Sequence, residues 1–180
     1  MKLRIHAIVP VTEVNGPGKR FGLWVQGCNK RCVNCYNPEA QDNSGGYEVE
    51  VSDIVSQIER TSNIEGVSIS GGEPFEQSDA LLELALLIKK KTNLTLLIFT
   101  SLNVKELQKY KEIVDLCDQI VLNHNHAPIV PKTDTKPYVQ VSYSLPQDIE
   151  LHIDKEGNLT ITGFPSEEDK SILIAAITDG

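Results

Sequence analysis

The chain has 180 residues, 40% hydrophobic and 23% charged, a balance that predicts an ordinary globular protein with a single domain over residues 1–180. Seventeen Lys and Arg against 25 Asp and Glu leave a formal charge of −8, which argues against a nucleic-acid backbone binder with a basic face. The one compact basic run, Lys89-Lys90-Lys91, closes a predicted helix, where cations complement the dipole. No stretch approaches the ~20 apolar residues needed to cross a bilayer. The amino terminus lacks a signal-peptide core, so a cytoplasmic protein with no membrane association is expected. Four cysteines are too few for a disulfide scaffold.

In chain order, residues 3–11 read as a first strand and Asn15-Gly16-Pro17-Gly18 as a tight turn. Residues 21–26 form a second extended segment that enters a loop holding Cys28, Cys32 and Cys35; the polar, Gly-rich stretch 37–47 reads as loop. Ser52 is placed as the cap of a helix running to Arg60, with Ile54, Val55 and Ile58 on one face. Residues 67–70 make a short buried strand that ends at Gly71-Gly72, and Ser78 is placed as the cap of a helix that is apolar nearly all round. A strand over 94–100 follows. Asn103 and Glu106 then form a capping-box pattern for a helix through Tyr110 or beyond.

Residues 119–122 read as a strand, 123–136 as a long loop and 137–144 as an extended run. Residues 150–153 and 159–162 flank a hairpin turn, and a final helix begins near Ser166. Strands alternating with helices predict an α/β fold with a mainly parallel sheet, in which sites gather at the carboxyl ends of the strands. The cysteine loop and Gly71-Gly72 each follow a strand, so they are expected to converge there.

Cys28, Cys32 and Cys35 read C-x3-C-x2-C, close enough to grip one metal centre without recruiting distant chain. A 4Fe–4S cluster normally takes four cysteines, so a set of three leaves one iron open for a substrate. A structural zinc site is the competing reading; it needs a fourth ligand, and His6 or Cys117 would have to supply it at unusual spacing. Three structural free thiols are a further alternative. Cys117 alone reads as a buried small hydrophobe. Gly71-Gly72-Glu73-Pro74 is the second signal. Glycines permit close backbone approach to a ligand, so a side chain at Gly72 is expected to intrude on that ligand and spare the cluster. Glu73 either adds charge there or caps the next helix.

Together these motifs resemble the radical S-adenosylmethionine superfamily, which shares C-x3-C-x2-C and in many members a GGE motif after the next strand. The resemblance implies a partial (β/α)6 barrel, here with a C-terminal β-hairpin and helix. It implies that Cys28, Cys32 and Cys35 ligate three irons of one 4Fe–4S cluster and that S-adenosyl-L-methionine chelates the fourth. Ser70, Gly71, Gly72 and Glu73 would then line the methionyl amine, and Tyr36 and Asn37 would pack beside the cluster or the adenine. Core aromatic and turn residue are the plainer roles for that last pair.

Gly16-Pro17-Gly18-Lys19-Arg20, Leu23-Trp24-Val25-Gln26-Gly27-Cys28, Cys35-Tyr36-Asn37-Pro38-Glu39 and Ile161-Thr162-Gly163-Phe164-Pro165 are similar to the activating proteins of glycyl-radical enzymes, nearest the anaerobic ribonucleotide reductase activators. That likeness implies a low-potential flavodoxin- or ferredoxin-like electron donor and a 5′-deoxyadenosyl radical that takes hydrogen from a glycine of a partner enzyme. The second half departs from the group. Thr100-Ser101-Leu102-Asn103 stands where a Gly-Tyr-Thr-like segment is usual, and Leu122-Asn123-His124-Asn125-His126 where Asp-Gly-Pro is. A stand-alone enzyme acting on a peptide, nucleotide or small metabolite is therefore the alternative. Arg20, Asn123, His124 and His126 are assigned to the substrate side. The two histidines alternate on an extended segment and would bind an anion, move a proton or hold a second metal, or else are plain loop residues. His6 and His152 lie in strand-like runs and read as structural. No second cysteine cluster is visible.

Overall fold

The computed structural model describes residues 1–33, 35–122, 129–131, 149–153 and 159–163. They form a mixed α/β fold around a seven-stranded sheet. The strands are β1 (Lys2–Thr12), β2 (Arg20–Val25), β3 (Tyr47–Glu50), β4 (Gly66–Gly71), β5 (Thr95–Thr100), β6 (Gln119–Leu122) and β7 (Ile129–Pro131). Their order across the sheet is β3-β1-β2-β4-β5-β6-β7. The four central strands, β2, β4, β5 and β6, run parallel, and β1, β3 and β7 pair antiparallel at the two sides. The expected parallel centre is therefore present.

Side-chain alternation divides the sheet into two unlike faces. Phe21, Leu23, Val25, Val67, Ile69, Leu96, Ile98 and Ile120 share a core with helix α1 (Val51–Arg60) and helix α2 (Ser78–Lys91). Ile54, Val55 and Ile58 of α1 and Leu81, Leu84, Ala85 and Ile88 of α2 are all buried in it. Ile113 and Val114 extend that layer from α4 (Lys111–Leu116), which follows α3 (Val104–Leu107) and a 3-10 turn. The alternate residues of β2 and β4 include the polar or small Arg20, Gly22, Ser68 and Ser70 beside Trp24, whereas those of β5 and β6 include the buried apolar Leu97, Phe99 and Val121.

Several boundaries differ from those expected. β3 falls between the expected loop, which ends at Tyr47, and the expected helix at Ser52, because Tyr47-Glu48-Val49-Glu50 is an edge strand with little burial to mark it. Helix α1 starts at Val51, so Ser52 lies inside it; the Val51 N–H is satisfied by the Met1 carbonyl at 2.8 Å and not by a side-chain cap. Ser78 is likewise the first residue of α2, preceded by the 3-10 turn Pro74–Gln77. The Asn103–Glu106 capping box is formed, on a helix that ends after one turn. β7 interrupts the expected 123–136 loop. The hairpin is present as β8 (Ile149–Ile153) and β9 (Leu159–Gly163), antiparallel. The Glu13 N–H donates to the Glu150 carboxylate at 2.9 Å, tying the hairpin to the end of β1. The 137–144 run, the turn 154–158 and the final helix lie outside the described residues. Among the described residues no helix is long and apolar enough to cross a membrane.

Arg20 begins β2, at the end opposite the cysteine loop, and is 1% exposed. Its guanidinium donates to Ser68 Oγ at 2.6 Å, the Val67 carbonyl at 2.9 Å, Thr95 Oγ1 at 3.0 Å and the Pro17 carbonyl at 3.2 Å. Gly66 makes room for it, since a Cβ there would lie 2.4 Å from Arg20 Nη1. One cation thus joins the β1–β2 turn to β4 and β5. Arg20→Ala would take the donor from two buried acceptors, Ser68 Oγ and the Val67 carbonyl, and each such loss costs about 1–3 kcal/mol. Urea unfolding is expected to show a loss of about 3 kcal/mol or more; a loss below about 1 kcal/mol would contradict the structural assignment.

Candidate metal centre

β2 and β4 are parallel neighbours that end level, with Val25 paired to Gly71. Beyond them two hydrogen bonds continue the pairing: the Gly72 N–H donates to the Val25 carbonyl at 2.8 Å, and the Glu73 N–H to the Gly27 carbonyl at 2.9 Å. From the other side the Gly27 N–H donates to the Ala40 carbonyl at 2.7 Å and the Cys28 N–H to the Gln41 carbonyl at 3.2 Å. These acceptors belong to the 3-10 turn Pro38–Gln41, where the chain returns from the loop. The root of the cysteine loop is therefore pressed between the Gly71-Gly72-Glu73 strap and that turn.

This packing explains the glycines. Gly71 has φ +108°, and a Cβ on it would lie 2.3 Å from the Val25 carbonyl oxygen. A Cβ on Gly72 would lie 2.1 Å from the Gly27 carbonyl oxygen and 2.9 Å from that of Ala40. A side chain at Gly72 would thus meet the backbone that carries Cys28 before it met any ligand, which corrects the expectation that it would spare the cluster.

Cys28, Cys32 and Cys35 are all free thiols; Cys28 is buried, Cys35 half-buried and Cys32 exposed. Burial pushes the Cys28 thiol up, the Lys30 and Arg31 backbone N–H groups bonded to its sulfur pull it down, and the charges of Glu76 and Glu73 push it up. Arg31 sits at φ +50°, a left-handed conformation costing about 1–2 kcal/mol outside glycine. Among the described residues no three His, Cys, Asp or Glu side chains converge to hold one ion. The donor chemistry nevertheless fits an iron–sulfur cluster: three free thiols within one loop, one of them already receiving N–H donors of the kind that tune cluster sulfurs. The proposed fourth zinc ligands are engaged elsewhere. His6 Nδ1 pairs with Gln26 Oε1 at 3.0 Å, and Cys117 Sγ lies 3.2 Å from the Ile113 carbonyl.

Glu73 is 1% exposed, and neutral donors hold its carboxylate. Oε1 accepts from Thr100 Oγ1 at 2.8 Å and from the Phe75 N–H at 3.2 Å; Oε2 accepts from Ser101 Oγ at 2.6 Å and the Ser101 N–H at 2.9 Å. The capping role is thus formed, and Thr100-Ser101, a departure from the family pattern, is the other half of the holder. Ser70 is buried beside the strap, opposite Trp24 in the sheet register. Tyr36 and Asn37 are half-buried just before the 3-10 turn. Arg20 is not brought to this end, and Asn123, His124 and His126 lie outside the described residues.

Sequence reading missed two glutamines. Gln26 is buried and donates through Nε2 to the Glu39 and Asp42 carbonyls at 2.8 and 2.7 Å. Gln77 Nε2 donates to the Arg4 and Gln26 carbonyls at 2.9 and 3.1 Å. The available signal was a polar residue, Gln26, at the end of an apolar run. From the Gly72 contacts, Gly72→Ala is expected to lower stability by about 1–3 kcal/mol and iron uptake together. Urea unfolding and iron per chain after anaerobic reconstitution check this; unchanged stability with full iron uptake would contradict it.

A family model described as "4Fe-4S single cluster domain" matches residues 14–135. The chain is also similar to the pyruvate formate-lyase-activating enzyme of Streptococcus mutans, at 34% identity over 134 residues, 67% of this chain and 51% of the relative. The enzyme of that name from Clostridium pasteurianum is 30% identical over 130 residues, 68% of this chain and 52% of its own length. The pyruvate formate-lyase 1-activating enzyme of Escherichia coli K12 is 37% identical over 81 residues, 42% and 33% of the two chains. The chain spans about half the length of the first two relatives. The likeness to activating enzymes read from the motifs therefore stands, although none of these three is by name a ribonucleotide reductase activator. Together with the cysteine loop at its root on β2, the match places the chain in the family of 4Fe-4S single cluster domains.

Proposed function

We propose that this chain is a radical S-adenosylmethionine enzyme that activates a glycyl-radical partner. The observation that carries the reading is the strap: the loop bearing Cys28, Cys32 and Cys35 is bonded, at the carboxyl ends of parallel strands, to Gly72 and Glu73. The family match and the names of the relatives support the same chemistry. In this reading the parallel centre of the sheet is part of a (β/α)6 partial barrel and residues 1–180 form one domain.

Cys28, Cys32 and Cys35 would hold one 4Fe–4S cluster, leaving one iron for the amine and carboxylate of S-adenosylmethionine. When bound and reduced, the pair supplies a 5′-deoxyadenosyl radical able to take hydrogen from a substrate C–H bond. This chain's residues orient and protect. Gly71 and Gly72 keep the strap close against Val25 and Gly27, and Ser70 with the strap carbonyls receives the methionyl ammonium. Glu73, immobilised by Thr100 and Ser101, contributes a fixed negative charge beside it. Tyr36 and Asn37 flank the cluster or the adenine. The partners are a flavodoxin- or ferredoxin-like electron donor and a glycyl-radical enzyme, and the setting is cytoplasmic, where thiols stay reduced. A stand-alone enzyme acting on a peptide, nucleotide or small metabolite is the second reading; the departures at Thr100-Ser101 and Asn123 to His126 favour it.

Anaerobically reconstituted protein is expected to cleave S-adenosylmethionine reductively, and Cys32→Ala to abolish this; retained activity would refute the ligand assignment. Co-expression with a glycyl-radical partner is expected to give a glycyl signal in electron paramagnetic resonance. Cleavage without that signal would favour the small-substrate reading.

A further inference from the structure

Beyond the motif residues, the geometry points to Glu76 as a positioning residue for the cysteine loop, clamping the segment that follows Cys28; as a role toward the cluster it rests on the reading above. Glu76 lies in the 3-10 turn Pro74–Gln77, directly after the strap. Its Oε1 accepts from the Asn29 backbone N–H and its Oε2 from Asn29 Nδ2, each at 2.8 Å. One carboxylate thus holds both the backbone N–H and the side-chain amide of the residue next to Cys28, in a two-point geometry at the surface. Asn43 Nδ2 donates to Asn29 Oδ1 at 3.0 Å, which leaves the Asn29 amide oriented with its NH2 toward Glu76.

The consequence reaches the sulfur. Lys30 and Arg31, the next two residues, present the backbone N–H groups that bond Cys28, and Arg31 does so from a left-handed conformation. A loop in that conformation needs an external hold, and burial does not supply it: Lys30, Arg31, Cys32 and Val33 are exposed. Glu76 ties the start of this stretch to the rigid strap. Lys30 Nζ also reaches Glu106 at 3.0 Å, but that exposed ion pair holds only a flexible side chain. Partners bonded directly to a metal ligand typically change metal affinity on the order of 10–100-fold when removed; Glu76 acts one residue further out, through Asn29, so the lower end of that range is expected.

The test compares Glu76→Ala, Glu76→Gln and Glu59→Ala with the parent, all reconstituted anaerobically with iron and sulfide. Two readouts are taken: the rate of iron loss to a chelator, and hydrogen exchange at the Asn29 amide in the metal-free full chain. Glu76→Ala is expected to speed iron loss on the order of tenfold and to remove protection of the Asn29 amide. The thermal midpoint should be unchanged, since Glu76 is exposed. Glu76→Gln keeps one acceptor for the backbone N–H and should rescue part of both effects; Glu59→Ala, which breaks an exposed ion pair with Lys91 away from the loop, should change iron loss less than about twofold. Iron loss from Glu76→Ala within about twofold of the parent, or faster loss with Asn29 protection intact, would overturn the proposal. A parent chain that takes up no iron would instead refute the cluster reading, while the exchange data would still show whether the clamp exists.

Discussion

Two hydrogen bonds between strand ends, Gly72 N–H to Val25 and Glu73 N–H to Gly27, hold this molecule's candidate site together. They extend the β2–β4 pairing past the last regular residue and bring the strap against the root of the cysteine loop. The contact is so close that neither Gly71 nor Gly72 has space for a Cβ. A chain-packing role therefore falls on the same glycines to which the proposed function gives a ligand-contact role. The packing role is the one visible in the fold, and it makes the two halves of the site mechanically one unit.

The electrostatics follow from that closeness. Glu73 is buried on the strap, and Thr100, Ser101 and Phe75 hold it by neutral donors. Fixed donors of this kind keep a carboxylate tolerable in the interior. Glu73 and Glu76 both act on the Cys28 thiol, whereas the Lys30 and Arg31 N–H groups oppose them. Net charge and hydrogen bonds to sulfur are the terms that set cluster potentials. In the function proposed above, negative charge at the root of the loop would suit a centre that delivers an electron at low potential. At the other end of the sheet Arg20 joins the first turn to β4 and β5 through hydroxyl and carbonyl oxygens.

Much of the fold was legible because the central strands are short apolar runs bounded by turn residues. Residues 119–122 matched β6 at both ends, and the 150–153 and 159–162 hairpin strands were each found to within one residue. β3 was missed because an exposed edge strand carries no burial pattern, and the serine caps were misplaced because Val51 and Ser78 are already helical. In the site, three cysteines at fixed spacing and a Gly-Gly-Glu after a strand were readable from types and order alone. The contributions of Thr100, Ser101, Gln26, Gln77 and Glu76 were not, since each depends on a partner distant in sequence. Arg20 shows the reverse: a charge in a family-like motif invited a substrate role, yet it stands at the start of β2, opposite the cysteine loop, and donates to oxygens of Pro17, Val67, Ser68 and Thr95 there.

The central claim is that the strap and the cysteine loop together present a cluster with one iron left open to a ligand. Mössbauer spectroscopy of protein reconstituted anaerobically with iron-57, with and without S-adenosylmethionine, tests it most directly. The account predicts a cubane spectrum in which a single iron site changes its isomer shift when S-adenosylmethionine is added. A spectrum indifferent to the addition, or a protein that retains zinc in place of iron, would contradict it.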